Sequence, residues 1–177
     1  MFESTVVWGC ASSSKSNDAG LYVVLDFLVD PYDTVTMVGS TTLGALRSRT
    51  WEAIIRYFTA LQNNTRGFVV PGKLSKVGFA IQNVDDASLP GSRGEKAGIQ
   101  GRALNDGGTL QGAHLPHTRI LIDELATIAS HEDIRTAVTN LRVGTKTFKF
   151  MALANPASWD DPSCALCMPQ SGQKVDV

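Results

Sequence analysis

Short apolar runs and longer helix-type patterns alternate along this chain. Two strands are predicted at Ser4–Trp8 and Thr147–Ala154, which are short apolar runs bounded by polar or turn residues. Further strands are predicted at residues 34–39, 76–82 and 119–124, and helices at residues 16–29, at residues 42–61 and from Ser130 onward. This alternation favours an α/β fold, with a mainly parallel central sheet and helices on both faces.

One long segment shows neither pattern. Residues 83–117 are rich in Gly, Asp and Asn, and we predict that they form a loop. A loop of this length inside a compact domain is usually either functional or mobile. The sequence leaves both interpretations open.

Composition narrows the classes of protein. With 177 residues, 43% of them hydrophobic and 19% charged, the chain is expected to form one globular domain with a sizeable core. It has no apolar run of the ~20 residues that a membrane span needs and no secretory signal at its N-terminus, so no membrane partner is expected. The net charge of -1 provides no overall basic field, so any grip on DNA must come from a local patch, another domain or an assembly.

The three cysteines indicate a reducing compartment. An odd number argues against a disulfide framework in a chain of this size. Cys164 and Cys167 have the spacing of a metal-binding or redox pair, but no second pair accompanies them, and free thiols are the alternative. Their role stays open.

The segment GCASSSKS, between the first strand and the first helix, fits a phosphate-binding loop at all but one position. In the pattern G-x-x-x-x-G-K-[ST], Ser14 takes the place of the second glycine. Backbone N–H groups of such a turn hold phosphate oxygens, while Lys15 reaches the same phosphates and the Ser16 hydroxyl ligates Mg²⁺. A Ser-rich turn with a solvated lysine is the alternative. The predicted nucleotide-binding residues are Gly9, Cys10, Ala11, Ser12, Ser13, Ser14, Lys15 and Ser16.

Polar residues follow two of the predicted strands. Asp123 and Glu124 come after the apolar run ILI, at the strand end where open parallel sheets bind ligands. Asp123 is predicted to ligate Mg²⁺ together with Ser16, and Glu124 to polarise the attacking water; an acidic, solvated turn is the alternative. Asn155 follows the Thr147–Ala154 strand and is predicted to touch the γ-phosphate or its water, with ordinary Asn-Pro turn chemistry as the alternative.

The combination of these motifs resembles the ATPase domain of the large terminase subunit of tailed bacteriophages. The resemblance lies in GCASSSKS, TVTMVGSTTLGALRSRTWEAI, AGIQGRALNDGG with TRILIDELATI, and NLRVGTKTFKFMALANPASWDDP, which together cover most of residues 4–162. The Ser-rich loop is similar to a variant found in one group of these proteins. The resemblance implies a P-loop NTPase domain at residues 1–162. Residues 163–177 are expected to be a tail or the start of a linker, with the chain truncated before the family's nuclease domain.

The resemblance also implies a function. It implies Mg²⁺-dependent hydrolysis of ATP, coupled to the movement of double-stranded DNA into a procapsid. The expected partners are DNA, the portal protein and the small terminase subunit, with the subunits forming a ring at the portal in the host cell cytoplasm. Carried over by position, Lys15 and Ser16 bind phosphate and metal, and Asp123 holds Mg²⁺. Glu124 is the catalytic carboxylate, and Asn155 couples nucleotide state to motion.

Phosphoryl transfer usually needs an added positive charge, and the phosphate loop contains no arginine. Arg102, within the predicted long loop, is the preferred catalytic candidate, acting in cis or on a neighbouring subunit. An ordinary surface charge is the alternative for every candidate. Arg102 is also a candidate for tracking DNA, together with Arg93 and Lys96. The remaining candidates for the catalytic charge are Arg47, Arg49, Arg119 and Arg142.

Two other functions remain open at this point. Another P-loop motor, such as a helicase, would carry similar nucleotide motifs but would separate strands. A hydrolytically inactive, truncated fragment would bind nucleotide weakly or only assemble. Ser14 and the short segment before the loop favour this last alternative.

Overall fold

The computed structural model describes residues 4–64, 67, 69–75, 78–82, 97–104, 110, 115–128, 131–155 and 161. Within these ranges no helix has the length and apolar character needed to cross a membrane. The strands are β1 (Ser4–Trp8), β2 (Thr34–Ser40), β3 (Lys73–Leu74), β4 (Ala80–Gln82), β5 (Gly98–Ala103), β6 (His117–Ile122) and β7 (Thr147–Ala154). The helices are α1 (Lys15–Val29), α2 (Leu43–Leu46), α3 (Glu52–Asn63) and α4 (His131–Arg142), with a π-helical segment at Arg47–Trp51, called the π turn below, and a 3₁₀ turn at Leu125–Thr127.

The described strands form one sheet in the order β1-β7-β6-β2-β5-β4-β3. The first five strands in that order are parallel, and β4 and β3 extend the sheet in antiparallel fashion at one edge. Because parallel strands all end at the same edge, the residues that follow β1, β6 and β7 are brought together there. The predicted mainly parallel α/β sheet is confirmed.

Helices cover both faces of this sheet, as predicted. On one face, Val38 and Leu121 belong to a core that includes Phe27 of α1 and Phe58 of α3. On the other face, Ile120 belongs to a second core that includes the apolar side of α4. Successive side chains of a strand point to opposite faces, which places the neighbours Ile120 and Leu121 in different cores. The two cores therefore fix β6 from both sides and hold its carboxyl end in place.

The predicted loop at residues 83–117 is wrong at its centre, where β5 lies between β2 and β4. The β5 sequence GIQGRA does not show a strand pattern, because its two glycines interrupt the apolar positions. Both positions require glycine because neighbouring atoms lie too close to allow a side chain. A Cβ on Gly98 would lie 2.1 Å from the carbonyl oxygen of Ile81, and one on Gly101 would lie 2.6 Å from the Cβ of Phe79. Residues 83–96, including Arg93 and Lys96, lie outside the described ranges.

The helix predicted at residues 42–61 is divided into three consecutive segments, namely α2, the π turn and α3. Thr42 caps its start, with its Oγ1 accepting a hydrogen bond from the backbone N–H of Ala45 at 3.0 Å. A π turn contains one more residue than an α-helical turn and often occurs at a functional site. Here it contains two buried residues, Thr50 and Trp51.

The other predicted elements are present, some with the predicted ends and some with shifted ends. β1 and β7 have the predicted bounds, and β2 ends one residue later than predicted. The strand predicted at residues 76–82 is confined to Ala80–Gln82, and residues 76–77 lie outside the described ranges. The strand predicted at residues 119–124 instead spans His117–Ile122, so that Asp123 and Glu124 stand just beyond the sheet.

Some predictions fall on parts of the chain that the structure does not describe. These are the helix start at Ser130, the paired cysteines Cys164 and Cys167, and the tail at residues 163–177. The predicted domain boundary at residue 162 therefore stays a prediction.

Candidate functional site: a nucleotide pocket at the ends of three strands

The loop between β1 and α1 contains two serines with left-handed backbone conformations. Ser14 has φ 63° and ψ 4°, in the left-handed region where glycine is normally favoured, and Ser12 has φ 60°. Ser14 makes no side-chain cap, but its carbonyl accepts the Asp18 N–H at 2.9 Å and so opens α1. The substitution of serine for glycine therefore preserves the loop's shape, at a cost of roughly 1 kcal/mol.

Lys15 connects this loop to the end of β7. Its Nζ donates to the carbonyl oxygens of Gly9 at 2.9 Å and Cys10 at 2.7 Å, and to Ser13 Oγ at 3.0 Å. It also donates to Asn155 Oδ1 at 2.7 Å, across 140 positions of sequence. The ammonium group is thus held at the mouth of the loop by oxygen atoms that an incoming phosphate can replace.

Asp123 is buried between the phosphate loop and the π turn, with 3% of its surface exposed. Its Oδ2 accepts a hydrogen bond from Thr50 Oγ1 at 2.6 Å, and its Oδ1 lies 3.3 Å from Ser16 Oγ, which donates to it. Its backbone N–H donates to the Gly39 carbonyl at 2.8 Å, so the end of β6 is tied to β2. These contacts orient one carboxylate oxygen toward the hydroxyl of the phosphate loop.

Glu124 turns away from the strand direction at a left-handed residue, with φ 61°. Its carboxylate forms an ion pair with the Arg49 guanidinium. Both side chains are partly open to solvent, Arg49 at 44% and Glu124 at 24%. Unlike Asp123, Glu124 therefore sits on an accessible wall of the site.

These groups line one open cavity of about 520 Å³. It brings together the predicted residues Lys15, Ser16, Asp123, Glu124 and Asn155. Gly9 and Cys10 contribute carbonyl oxygens to Lys15. The other predicted loop residues that line the cavity are Ala11, Ser12, Ser13 and Ser14, and Arg49 is a candidate arginine that also lines it. The lining residues that the sequence did not single out for the site are Asn17, Glu52, Ala53, Arg56, Leu153 and Ala154.

Arg102, the preferred catalytic arginine in the sequence, is not among the described residues that line this cavity. It lies on β5, where its Nη2 donates to Gln100 Oε1 at 2.8 Å. Three strands, β2, β6 and β7, separate β5 from β1, which puts Arg102 on a different part of the sheet edge. The cavity is instead lined by Arg49 and Arg56. They are seven residues apart on one predicted helix, a spacing of about two turns that places both on the same helix face.

The other arginine candidates in the described ranges have different surroundings. Arg47 lies with its guanidinium 5.1 Å from the centroid of the Phe79 ring. Arg119 donates its Nε to Asp26 at 2.8 Å, near the amino end of β6. Arg49 is thus the sequence candidate that the structure places in the cavity.

The oxygen atoms of this site fit a magnesium ion that arrives with a nucleotide. No cluster of three or more His, Cys, Asp or Glu side chains suited to a metal occurs among the described residues. Mg²⁺ bound to a nucleotide needs only one or two protein oxygens, since phosphates and water complete its shell. Ser16 Oγ and Asp123 Oδ1, which lie 3.3 Å apart, would supply that pair.

Comparison with solved structures identifies the fold. The large terminase of a thermophilic bacteriophage, called the thermophilic-phage terminase below, matches with a TM-score of 0.63 and 17% identity, over 90% of this chain and 35% of that protein. The same terminase has been solved in complex with ADP. The ATPase domain of the Thermus phage P74-26 large terminase matches with a TM-score of 0.58 and 17% identity, over 97% of this chain and 66% of that domain structure.

A more divergent match is the N-terminal domain of the DNA packaging ATPase from bacteriophage phi29, with a TM-score of 0.55 and 13% identity. It covers 98% of this chain and 84% of that domain. No protein-family profile and no curated protein sequence matches this chain. The chain spans about a third of the thermophilic-phage terminase, at 35% of its length.

The architecture is therefore that of the P-loop NTPase fold, with the Ser-rich loop after β1 and the acidic pair after β6. Within that class, the chain has the fold of the ATPase domains of phage large terminases, as the sequence resemblance predicted.

Proposed function

We propose that this chain is a Mg²⁺-dependent ATPase that acts as the motor domain of a phage DNA-packaging terminase. The observation that carries the proposal is the meeting of Lys15, Ser16, Asp123, Glu124 and Asn155 in one cavity. These residues come from three separated segments of the chain, which the parallel sheet brings to one edge. The ADP complex of the thermophilic-phage terminase supports a nucleotide as the ligand of this fold.

Lys15 and the loop backbone bind the phosphates in this proposal. The Lys15 ammonium exchanges the Gly9 and Cys10 carbonyls for phosphate oxygens, to which it is drawn more strongly because they carry full negative charge. The N–H groups at the start of α1 add partial positive charge at the same place. Ser16 and Asp123 would hold Mg²⁺, which neutralises charge developing on the β- and γ-phosphates.

Glu124 serves as the carboxylate that orients and polarises the attacking water. Its partly exposed position on the cavity wall suits that task, whereas Asp123 is occupied by two hydroxyl donors. Asn155 couples nucleotide state to the rest of the chain, since its Oδ1 accepts a hydrogen bond from Lys15. When Lys15 binds a phosphate instead, this hydrogen bond breaks, and Asn155 at the end of β7 is free to move.

The larger roles follow from the same proposal. Double-stranded DNA is the translocated substrate, and the portal protein and small terminase subunit are partners of a ring assembled in the host cytoplasm. The phi29 relative, a DNA packaging ATPase, supports this context. With a net charge of -1, the chain needs a local patch or the assembly itself to hold DNA.

The test is hydrolysis and binding by Glu124→Gln. We expect turnover of Mg·ATP to fall by at least about 10³-fold, as for other groups essential to phosphoryl transfer, while Mg·ATP binding is retained. Glu132→Gln, on an exposed side chain of α4, is the matched control and should match the unaltered chain. Phosphate release is measured at several protein concentrations, with and without DNA and portal.

The outcomes separate the alternatives. Binding without turnover under every condition would identify an inactive fragment, and strand separation by the chain would identify a helicase. Failure of the unaltered chain to bind Mg·ATP or Mg·ADP would refute the proposal altogether.

A further inference from the structure

Two neighbouring residues of the π turn contact the two neighbouring carboxylates after β6. Thr50 donates to Asp123 at 2.6 Å, and Arg49 forms the ion pair with Glu124. Neighbouring side chains of a regular α-helix point about 100° apart and do not share a face. In the π turn, the pair Arg49–Thr50 meets the pair Asp123–Glu124.

The two contacts differ in how easily a ligand can replace them. Thr50 has no exposed surface and Asp123 has 3%, so this hydrogen bond anchors the π turn to the sheet. Arg49 and Glu124 are 44% and 24% exposed and line the cavity. An ion pair with that much solvent contact contributes little stability, so the guanidinium can change partner at small cost.

A triphosphate is a stronger partner for this guanidinium than a carboxylate is. It carries more negative charge, and planar guanidinium groups bind phosphate oxygens through two parallel hydrogen bonds. The cavity wall holds one other described arginine, Arg56, which contacts Asn17 of α1 and lies 5.1 Å from the Tyr57 ring centroid. Arg49 is the described arginine that contacts Glu124 directly.

We propose that Arg49 acts as a switch within its own subunit, changing its partner from Glu124 to the γ-phosphate when a triphosphate binds. Without nucleotide, Arg49 holds Glu124. When a triphosphate binds, Arg49 moves to the γ-phosphate and releases Glu124 to the attacking water, while Thr50 keeps the π turn anchored to Asp123. The inference rests on the proposed ATPase function and assigns it an arginine, a residue that the loop GCASSSKS does not contain.

The test compares binding of Mg·ADP with binding of a non-hydrolysable Mg·ATP analogue. For Arg49→Ala, we expect affinity for the analogue to fall at least about 10-fold, the effect of one charge-assisted hydrogen bond, and affinity for Mg·ADP to stay within about 2-fold. In the same variant, turnover should fall by at least about 100-fold. Arg49→Lys should recover only part of the analogue affinity, because an ammonium cannot form the paired hydrogen bonds.

Arg47→Ala is the matched control, since it removes the same charge from the same turn at a side chain that packs on Phe79. It should bind both nucleotides like the unaltered chain, and urea unfolding confirms that both variants fold. If Arg49→Ala and Arg47→Ala bind the analogue equally well, or if Arg49→Ala hydrolyses ATP faster, the switch is refuted and the ATPase proposal stands. If the unaltered chain binds neither nucleotide, the ATPase proposal itself fails.

Discussion

The strands β6 and β7 carry a charged cluster at each of their ends, and the two clusters differ in burial. Near the amino ends, Asp26 of α1 accepts from Arg119 of β6 at 2.8 Å and forms an ion pair with Lys149 of β7. These three side chains are only 10%, 13% and 20% exposed. Near the carboxyl ends, Glu124 and Arg49 form a single pair that is far more open to solvent.

We interpret the cluster at the amino ends as structural, whereas the proposed function makes the pair at the carboxyl ends responsive to a ligand. Burial raises the pKa of the Asp26 carboxyl, but hydrogen bonds from Lys149 and Arg119 and their positive charges outweigh it, so the pKa lies below its usual value. That carboxylate is fully committed to its two partners. At the other end, the cations Lys15 and Arg49 have partners that a phosphate can replace. Changes at the two ends should therefore affect different measurements.

The largest effect is expected at the ligand end, for Lys15→Ala. Loss of the ammonium removes the main attraction for the phosphates, so kcat/KM for ATP should fall by at least about 10³-fold, or roughly 4 kcal/mol. Stability should change by less than about 1 kcal/mol, because the hydrogen bonds of Lys15 are partly open to water. Phosphate release and urea unfolding of the same samples measure both. A large loss of stability would mean that Lys15 also holds the fold.

The opposite result is expected for Asp26→Asn. The substitution leaves Arg119 and Lys149 without a counter-charge in a partly buried place, so the free energy of unfolding should fall by about 3 kcal/mol. Nucleotide affinity of the folded fraction should be unchanged. Asp30→Asn is the control: the carboxylate of Asp30 contacts His117 Nε2 at 3.1 Å with the aspartate side chain 43% exposed, and loss of this contact should cost less than about 1 kcal/mol. Equal losses for both variants would contradict the structural role of Asp26.

Low pH should remove the contribution of Asp26 to the free energy of unfolding. Because its folded pKa is lowered, its contribution is complete above the unfolded value of about 3.9 and is lost as the pH falls through the folded value. The stability gap between the unaltered chain and Asp26→Asn should therefore be constant from pH 7 to about pH 5 and should narrow below about pH 4. Urea midpoints of the two proteins across this range give the gap. A gap that widens on acidification would contradict the assigned cause.

The sequence predicted most of the ligand end because its residues follow strand ends, where ligands bind in open parallel sheets. Asp123, Glu124 and Asn155 were predicted in this way and Lys15 from the phosphate-loop pattern, and the structure places all four around one cavity. The pairing of Arg49 with Glu124 was not predicted, since it joins residues far apart in the sequence and no local pattern links them. The structural cluster was missed because Asp26 lies on α1, 93 positions from Arg119.

β5 was missed for a different physical reason. Its two positions require glycine because atoms of other elements, such as the Ile81 carbonyl oxygen, leave no room for a side chain. The conformation of β5 itself is not the whole reason. A local pattern therefore indicated a loop where tertiary packing makes a central strand. Arg102 lies on β5 and not in a loop, away from the cavity of its own chain, and its role as the catalytic charge of a neighbouring subunit stays a prediction.

The smallest effect is expected for Ser14→Gly, at the one position where the phosphate loop departs from its pattern. Glycine relieves the left-handed conformation at φ 63°, worth roughly 1 kcal/mol, but its greater freedom in the unfolded chain offsets about 0.4–1 kcal/mol. Stability should therefore change by no more than about 0.5 kcal/mol, and nucleotide affinity by no more than about 3-fold. Ser14→Val is the contrasting variant, because a β-branched residue is strained at positive φ and should lower both. If urea unfolding and nucleotide titration show valine to be tolerated as well as glycine, the ligand end does not depend on this backbone shape.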